Sequence, residues 1–84
     1  MSIKMNNAET WIENKIGYNA EITEKSLQVA SEGVQAIIRD IRTIKDKDLM
    51  EQVDSIIEYL KNAQAAVQRK IALEQTLNIM KYEA

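Results

Sequence analysis

LQVASEGVQAIIRDIRTIKDKDLMEQVDSIIEYLKNAQAAV, residues 27 to 67, is the stretch whose reading decides the fold. Leu27, Ala30, Val34, Ile37, Ile41 and Ile44 recur at spacings of three and four. Past a charged break, Leu49, Val53, Ile56, Leu60, Ala63 and Val67 repeat the same rhythm. Such a row is the mark of a helix that buries one narrow seam. Folding the chain back at the break pairs Ile44 with Leu49, Ile37 with Ile56 and Leu27 with Val67, and the paired residue numbers total 93 or 94 throughout. A constant total is expected of an antiparallel hairpin. The fold class expected is therefore all-α: a coiled-coil-like, antiparallel two-helix hairpin associating into a four-helix bundle. On this seam, Asp in place of either Ile37 or Leu60 is expected to unfold the chain.

Working outward, one helical-hairpin domain is expected over residues 1–84, with helix one at about 7–44, a turn at about 45–48 and helix two at about 49–82. Asn6 with Glu9, and Asp48 with Glu51, have the spacing of capping boxes. Acids gather early and Arg39, Arg42, Arg69 and Lys81 late in each helix, as the helix dipole favours. Continuing the pairing puts Thr23 opposite Lys70. That polar layer either fixes register or leaves the Lys70 head to reach outward past the seam. Gly33, mid-helix, is either a tolerated imperfection worth about 1 kcal/mol against Ala or a site of close helix approach.

Composition supports the same class. There is no Pro, only two Gly, 45% hydrophobic residues and 5% aromatics, which reads as nearly all helix. So short a chain buries a thin core, and without Cys it has no disulfide to add, so association is expected on physical grounds. A net charge of −2 gives no steering toward nucleic acid or an anionic membrane. The first residues hold no apolar run fit for a signal peptide, and no stretch is long and apolar enough to span a bilayer. A cytoplasmic chain is expected, and signal-less secretion is compatible with it.

Catalytic chemistry has little to work with. There is no His for an imidazole base or zinc site and no Cys nucleophile. The two glycines are too isolated for a phosphate loop, and the acids lie dispersed among bases. No enzyme, cofactor, metal site or small-molecule substrate is expected. Arg39, Arg42, Lys45 and Lys47 form the one basic cluster, but Asp40, Asp46 and Asp48 interleave with it, which weakens any attraction for phosphate.

Subtracting the seam leaves apolar residues that need a partner. On helix one Trp11, Tyr18, Ile22, Val29 and Ala36 form a second stripe. On helix two Ile57, Ile71, Ile79 and Met80 remain. The surplus is expected at the open end of the hairpin, with a charged tip. The candidate partner-binding residues are thus Trp11, Tyr18, Ile22, Val29, Ile57, Ile71, Ile79 and Met80, with the two aromatics as anchors. The partner expected is a helical protein or a second copy in a homodimer.

In length and in two long helices joined by a short turn, the chain resembles the small Trp-x-Gly hairpins of type VII secretion, the type III needle subunits and the small two-helix type III chaperones. Its turn, Lys45 to Asp48, holds neither Trp-x-Gly nor Pro, and Trp11 is followed by Ile12 and Glu13. The resemblance implies a small helical adaptor or chaperone-like partner for a secreted effector or secretion machine, or a self-assembling structural subunit. From the residues alone the expectation is non-enzymatic protein–protein interaction, with a small nucleic-acid or transcription regulator as a further alternative.

Overall fold

The computed structural model describes the backbone of residues 2–83 and the side chains of residues 7–82. Two α-helices, α1 (Ser2–Asp40) and α2 (Asp46–Glu83), pack along each other as a hairpin. With 39 and 38 residues, each is about 58 Å long at 1.5 Å per residue, and the molecule is a rod of 64 × 14 × 13 Å. Its radius of gyration, 18.8 Å, compares with about 12 Å for a compact chain of this length.

The link is residues 41–45, earlier than the expected 45–48. The Asp40 carbonyl sets it. It accepts bonds from the N–H groups of Thr43 (2.9 Å) and Ile44 (2.8 Å) and from the Thr43 hydroxyl (3.2 Å). Capping by successive donors on one carbonyl closes the helix without a left-handed residue, and no described residue has positive φ. A turn free of glycine is therefore sufficient. The first α2 bond runs from the Leu49 N–H to the Lys45 carbonyl at 2.8 Å, so Asp46 and Asp48 both stand in the first turn, where the dipole favours them. Neither expected capping box starts a helix: α1 runs through Asn6–Glu9 and α2 begins before Asp48. The Asn6 side chain itself lies outside the described residues.

Moving the turn moves the register. Gly33 meets Ile56, and Asn19 bonds Arg69, pairs whose numbers total 89 and 88 rather than the expected 93 or 94. Two heptad rows run in opposite directions give a constant total at several registers spaced by half a heptad. The constancy therefore supports antiparallel pairing and leaves the register open.

The seam itself rotates as well. Ala30, Ile37 and Ala63 are buried, and Ile44, Leu49 and Ile56 half-buried, as expected. The alternate positions are different. Leu27, Val34, Ile41, Val53, Leu60 and Val67 are each between 38 and 52% exposed. For Leu27, Val34 and Val67 the place in the seam goes to a smaller neighbour: Ser26 and Gly33 are half-buried, and Ala66 has 0% of its surface exposed. A Cβ built on Gly33 would stand 3.0 Å from Ile56 Cγ1, so the helices touch there with no room for a larger residue. Gly33 is thus a site of close approach. The buried core amounts to Ile12, Ile37, three alanines and one asparagine.

That asparagine, Asn19, is the polar layer. It is 5% exposed. Its amide donates to the Lys15 carbonyl at 2.8 Å, and its Oδ1 accepts from Arg69 Nε at 2.9 Å. The Thr23 hydroxyl, expected opposite Lys70, instead donates to the Asn19 carbonyl at 2.8 Å, and Lys70 pairs with Glu74 on its own helix at 3.4 Å. The other ion pairs, Lys25–Glu21 and Lys61–Glu58, also lie within one helix. The Glu21 carboxylate, accepting a hydrogen bond from exposed Lys25, holds that ammonium above its ordinary value. Among the described residues, the Asn19–Arg69 bond is the polar link between the helices.

Two stability measurements follow, both by urea denaturation at one protein concentration. Ile37→Ala should cost about 2 kcal/mol, the low end for a buried isoleucine, because a cavity in so thin a core opens to water. Asn19→Ala should cost about 1 kcal/mol, the net worth of one part-buried hydrogen bond. An unchanged midpoint in either variant would remove that residue from the seam.

Candidate functional site

Helix geometry sorts the residues left outside the seam. The next residue along an α-helix is rotated by about 100°, so the residues that follow the seam positions make a second row on one side. Because the helices run antiparallel, the following rows of α1 and α2 turn to the same flank of the hairpin. The residues that precede the seam positions make up the opposite flank.

The following rows are aliphatic. On α1 the row carries Leu27, Val34 and Ile38 and continues to Ile41 in the link, and on α2 it carries Met50, Val53, Ile57, Leu60, Val67 and Ile71. The structure leaves every one of these side chains substantially exposed, from 38% at Val67 to 68% at Met50. Within this span the only polar members of the two rows are uncharged, Ser31 and Gln64. The α2 row runs at spacings of three and four from Met50 to Ile71, which is the pattern of a second helix-packing seam. The α1 row carries one charge at these levels, Glu24, level with Gln64, and the other charges, Glu13, Glu74 and Lys81, lie beyond Ile71.

The preceding rows are mixed. Trp11 and Tyr18 stand 59 and 58% exposed on α1, with the Lys15 ammonium 5.6 and 5.8 Å from their ring centroids. Half-buried Ile22 and exposed Val29 continue that row. The facing row of α2, however, carries Asp48, Glu51, Ser55, Glu58, Asn62 and Arg69 before it reaches Ile79. This aromatic flank is apolar on one helix and charged on the other.

The eight residues singled out from sequence therefore do not share one face. Ile57 and Ile71 lie on the aliphatic flank, while Trp11, Tyr18, Ile22, Val29 and Ile79 lie on the aromatic flank. Met80 is half-buried in the seam. Exposed apolar residues stand at the open end, at Trp11, Ile79 and Tyr82, and also reach the turn, at Ile38, Ile41 and Met50, because the register shift hands Leu27, Val34, Ile41, Val53, Leu60 and Val67 to the surface. Sequence reasoning missed these six by placing them in the seam. The signal that locates them is the small residue, Ser26, Gly33 or Ala66, directly before three of them.

Pocket chemistry is sparse. A shallow depression of about 410 Å³ beside Asn78, Lys81 and Tyr82 is wide open to solvent. Among the described residues no three acids gather closely enough to hold a metal ion, and no helix is long and apolar enough to cross a membrane. Comparison with protein-family models, with curated protein sequences and with solved structures finds no match.

Proposed function

We propose that this chain is a non-enzymatic protein-interaction module of the adaptor type, which docks another helical surface against its aliphatic flank. The observation that carries this reading is the exposed, uncharged row running from Met50 to Ile71 on α2, beside Leu27, Val34 and Ile38 on α1 and Ile41 in the link. A patch of this kind exceeds what a lone chain leaves in water without cause. Its heptad spacing suits a helix laid against a helix rather than a small molecule or an extended peptide.

Surface area supports the same reading. The accessible surface of 6718 Å² is about 1,600 Å² more than a compact monomer of this mass shows. An excess of that size is about twice the roughly 800 Å² that each partner gives up in a standard protein interface. The absence of charge over the flank also means that docking draws on apolar burial rather than on steering, so it should depend only weakly on salt.

Leu60 is the discriminating position. It is 45% exposed at the middle of the α2 row, so Leu60→Asp should keep the helical circular-dichroism signal and lose association, measured by sedimentation velocity. Ile37→Asp, at a buried seam position, should lose both. Association that survives Leu60→Asp would remove the aliphatic flank as the docking face.

A further inference from the structure

We infer that the occupant of this flank is a second copy of the chain, packed with both turns at the same end, so that α1 of each protomer lies over α2 of the other. The inference rests on the flank reading above and adds the partner and its register.

A two-fold axis along the rod keeps each residue at its own level and brings the following row of α1 against the following row of α2 from the other copy. Levels within the hairpin are set by the Asn19–Arg69 bond and the Gly33–Ile56 contact, so residues whose numbers total about 88 stand level. Across the axis Leu27 then meets Leu60, Val34 meets Val53, and Ile38 meets Met50. Every helix in this bundle has antiparallel neighbours on two sides, through seams about 100° apart, as a four-helix bundle requires.

Two details favour this arrangement. The α2 row extends further from the turn than the large residues of the α1 row. At those upper levels α1 offers Ala20 opposite Val67 and Gly17 opposite Ile71, small residues against large ones. Between these levels and the Leu27–Leu60 level, Glu24 stands opposite Gln64, whose amide can donate to the carboxylate, so the charged member of the α1 row meets the polar member of the α2 row. With the turns at opposite ends and the rods fully overlapped, Glu13 would instead come level with the aliphatic stretch around Val34 and Ile57.

The second detail is Gly17. A mid-helix glycine costs about 1 kcal/mol against alanine, and inside the hairpin nothing lies within 4 Å of where its Cβ would be. Gly33 has Ile56 to account for it, whereas Gly17 has nothing in its own chain. A second copy laying Ile71 over it supplies the missing neighbour.

The chain has no cysteine, so engineered thiols report contacts cleanly. Separate Glu24→Cys and Gln64→Cys chains are mixed, dissociated, reassociated and oxidised. The expected product is a disulfide-linked 24–64 pair at dimer mass, formed in the mixture far more readily than by either chain alone. Gly17→Leu supplies an independent readout: it should weaken the dimer about tenfold or more while helix content holds or rises, whereas in an isolated hairpin it could only help the helix. A wild-type chain that stays monomeric at all concentrations overturns the second copy. A dimer broken by Leu60→Asp but lacking the mixed disulfide, and indifferent to Gly17→Leu, overturns the arrangement and leaves the flank reading standing. A dimer that survives Leu60→Asp overturns both.

Discussion

The structure depends on how closely two backbones can approach at Gly33. Ile56 sits where a side chain on residue 33 would begin, and Ser26, Ala30, Ala63 and Ala66 line the same stretch of seam. Small residues let helices come together, and close helices gain backbone and side-chain contact along their length. The trade is apolar burial. A seam of alanine, serine and glycine takes little hydrophobic surface out of water, at about 25 cal/mol per Å². With no large side chain fully buried anywhere among the described residues, the hairpin holds its larger apolar groups outside its own interface. The exposed aliphatic flank and the thin core are two results of the same choice of seam.

How far this was legible in the sequence depends on the level asked about. Helicity, the two-helix count and antiparallel packing follow from composition and heptad spacing, and the structure has them. The turn and the seam were harder. Residues 30 and 37 on α1, 44 in the link, and 49, 56 and 63 on α2 belong to the seam on either assignment. What differs is the row alternating with them. Counting apolar residues selects Leu27, Val34 and Ile41 over Ser26, Gly33 and Asp40, because hydrophobicity is scored by residue type and closeness of approach is not. Where a helix carries two seams about 100° apart, a search for one stripe merges them and keeps the more apolar half of each.

The polar layer was misplaced for a related reason. A Thr23–Lys70 pairing follows from the expected register, and shifting the turn by a few residues carries Arg69 to Asn19 instead. Asn19 is also the kind of residue that apolar periodicity overlooks, since it stands in its row between Ile16 and Thr23 with no apolar character of its own. Its side chain satisfies both ends, donating to the Lys15 carbonyl and accepting from Arg69, so burial at 5% exposure leaves no orphan group. A one-heptad slip would separate Asn19 from Arg69 and strand its oxygen in the seam, a penalty that small apolar residues alone do not impose. The weak hydrophobic discrimination of an alanine- and glycine-rich seam makes this single bond more consequential for register than its net energy suggests.

The site reading changes with the register in the same way. Trp11 and Tyr18 attract attention because aromatics dominate interfaces, yet the α2 row of their flank carries Arg69, Ala72 and Thr76 at their level and Asp48, Glu51 and Glu58 toward the turn, and the Lys15 ammonium lies near both rings. An interface needs continuity across both helices as well as large side chains on one. Only the aliphatic flank has it: ten exposed apolar residues, three on α1, Ile41 in the link and six on α2, with Glu24 the one charge at their levels. The residues that best reveal the docking face are therefore aliphatic ones of ordinary type. What distinguishes them is their place one residue past a seam too small to shelter them.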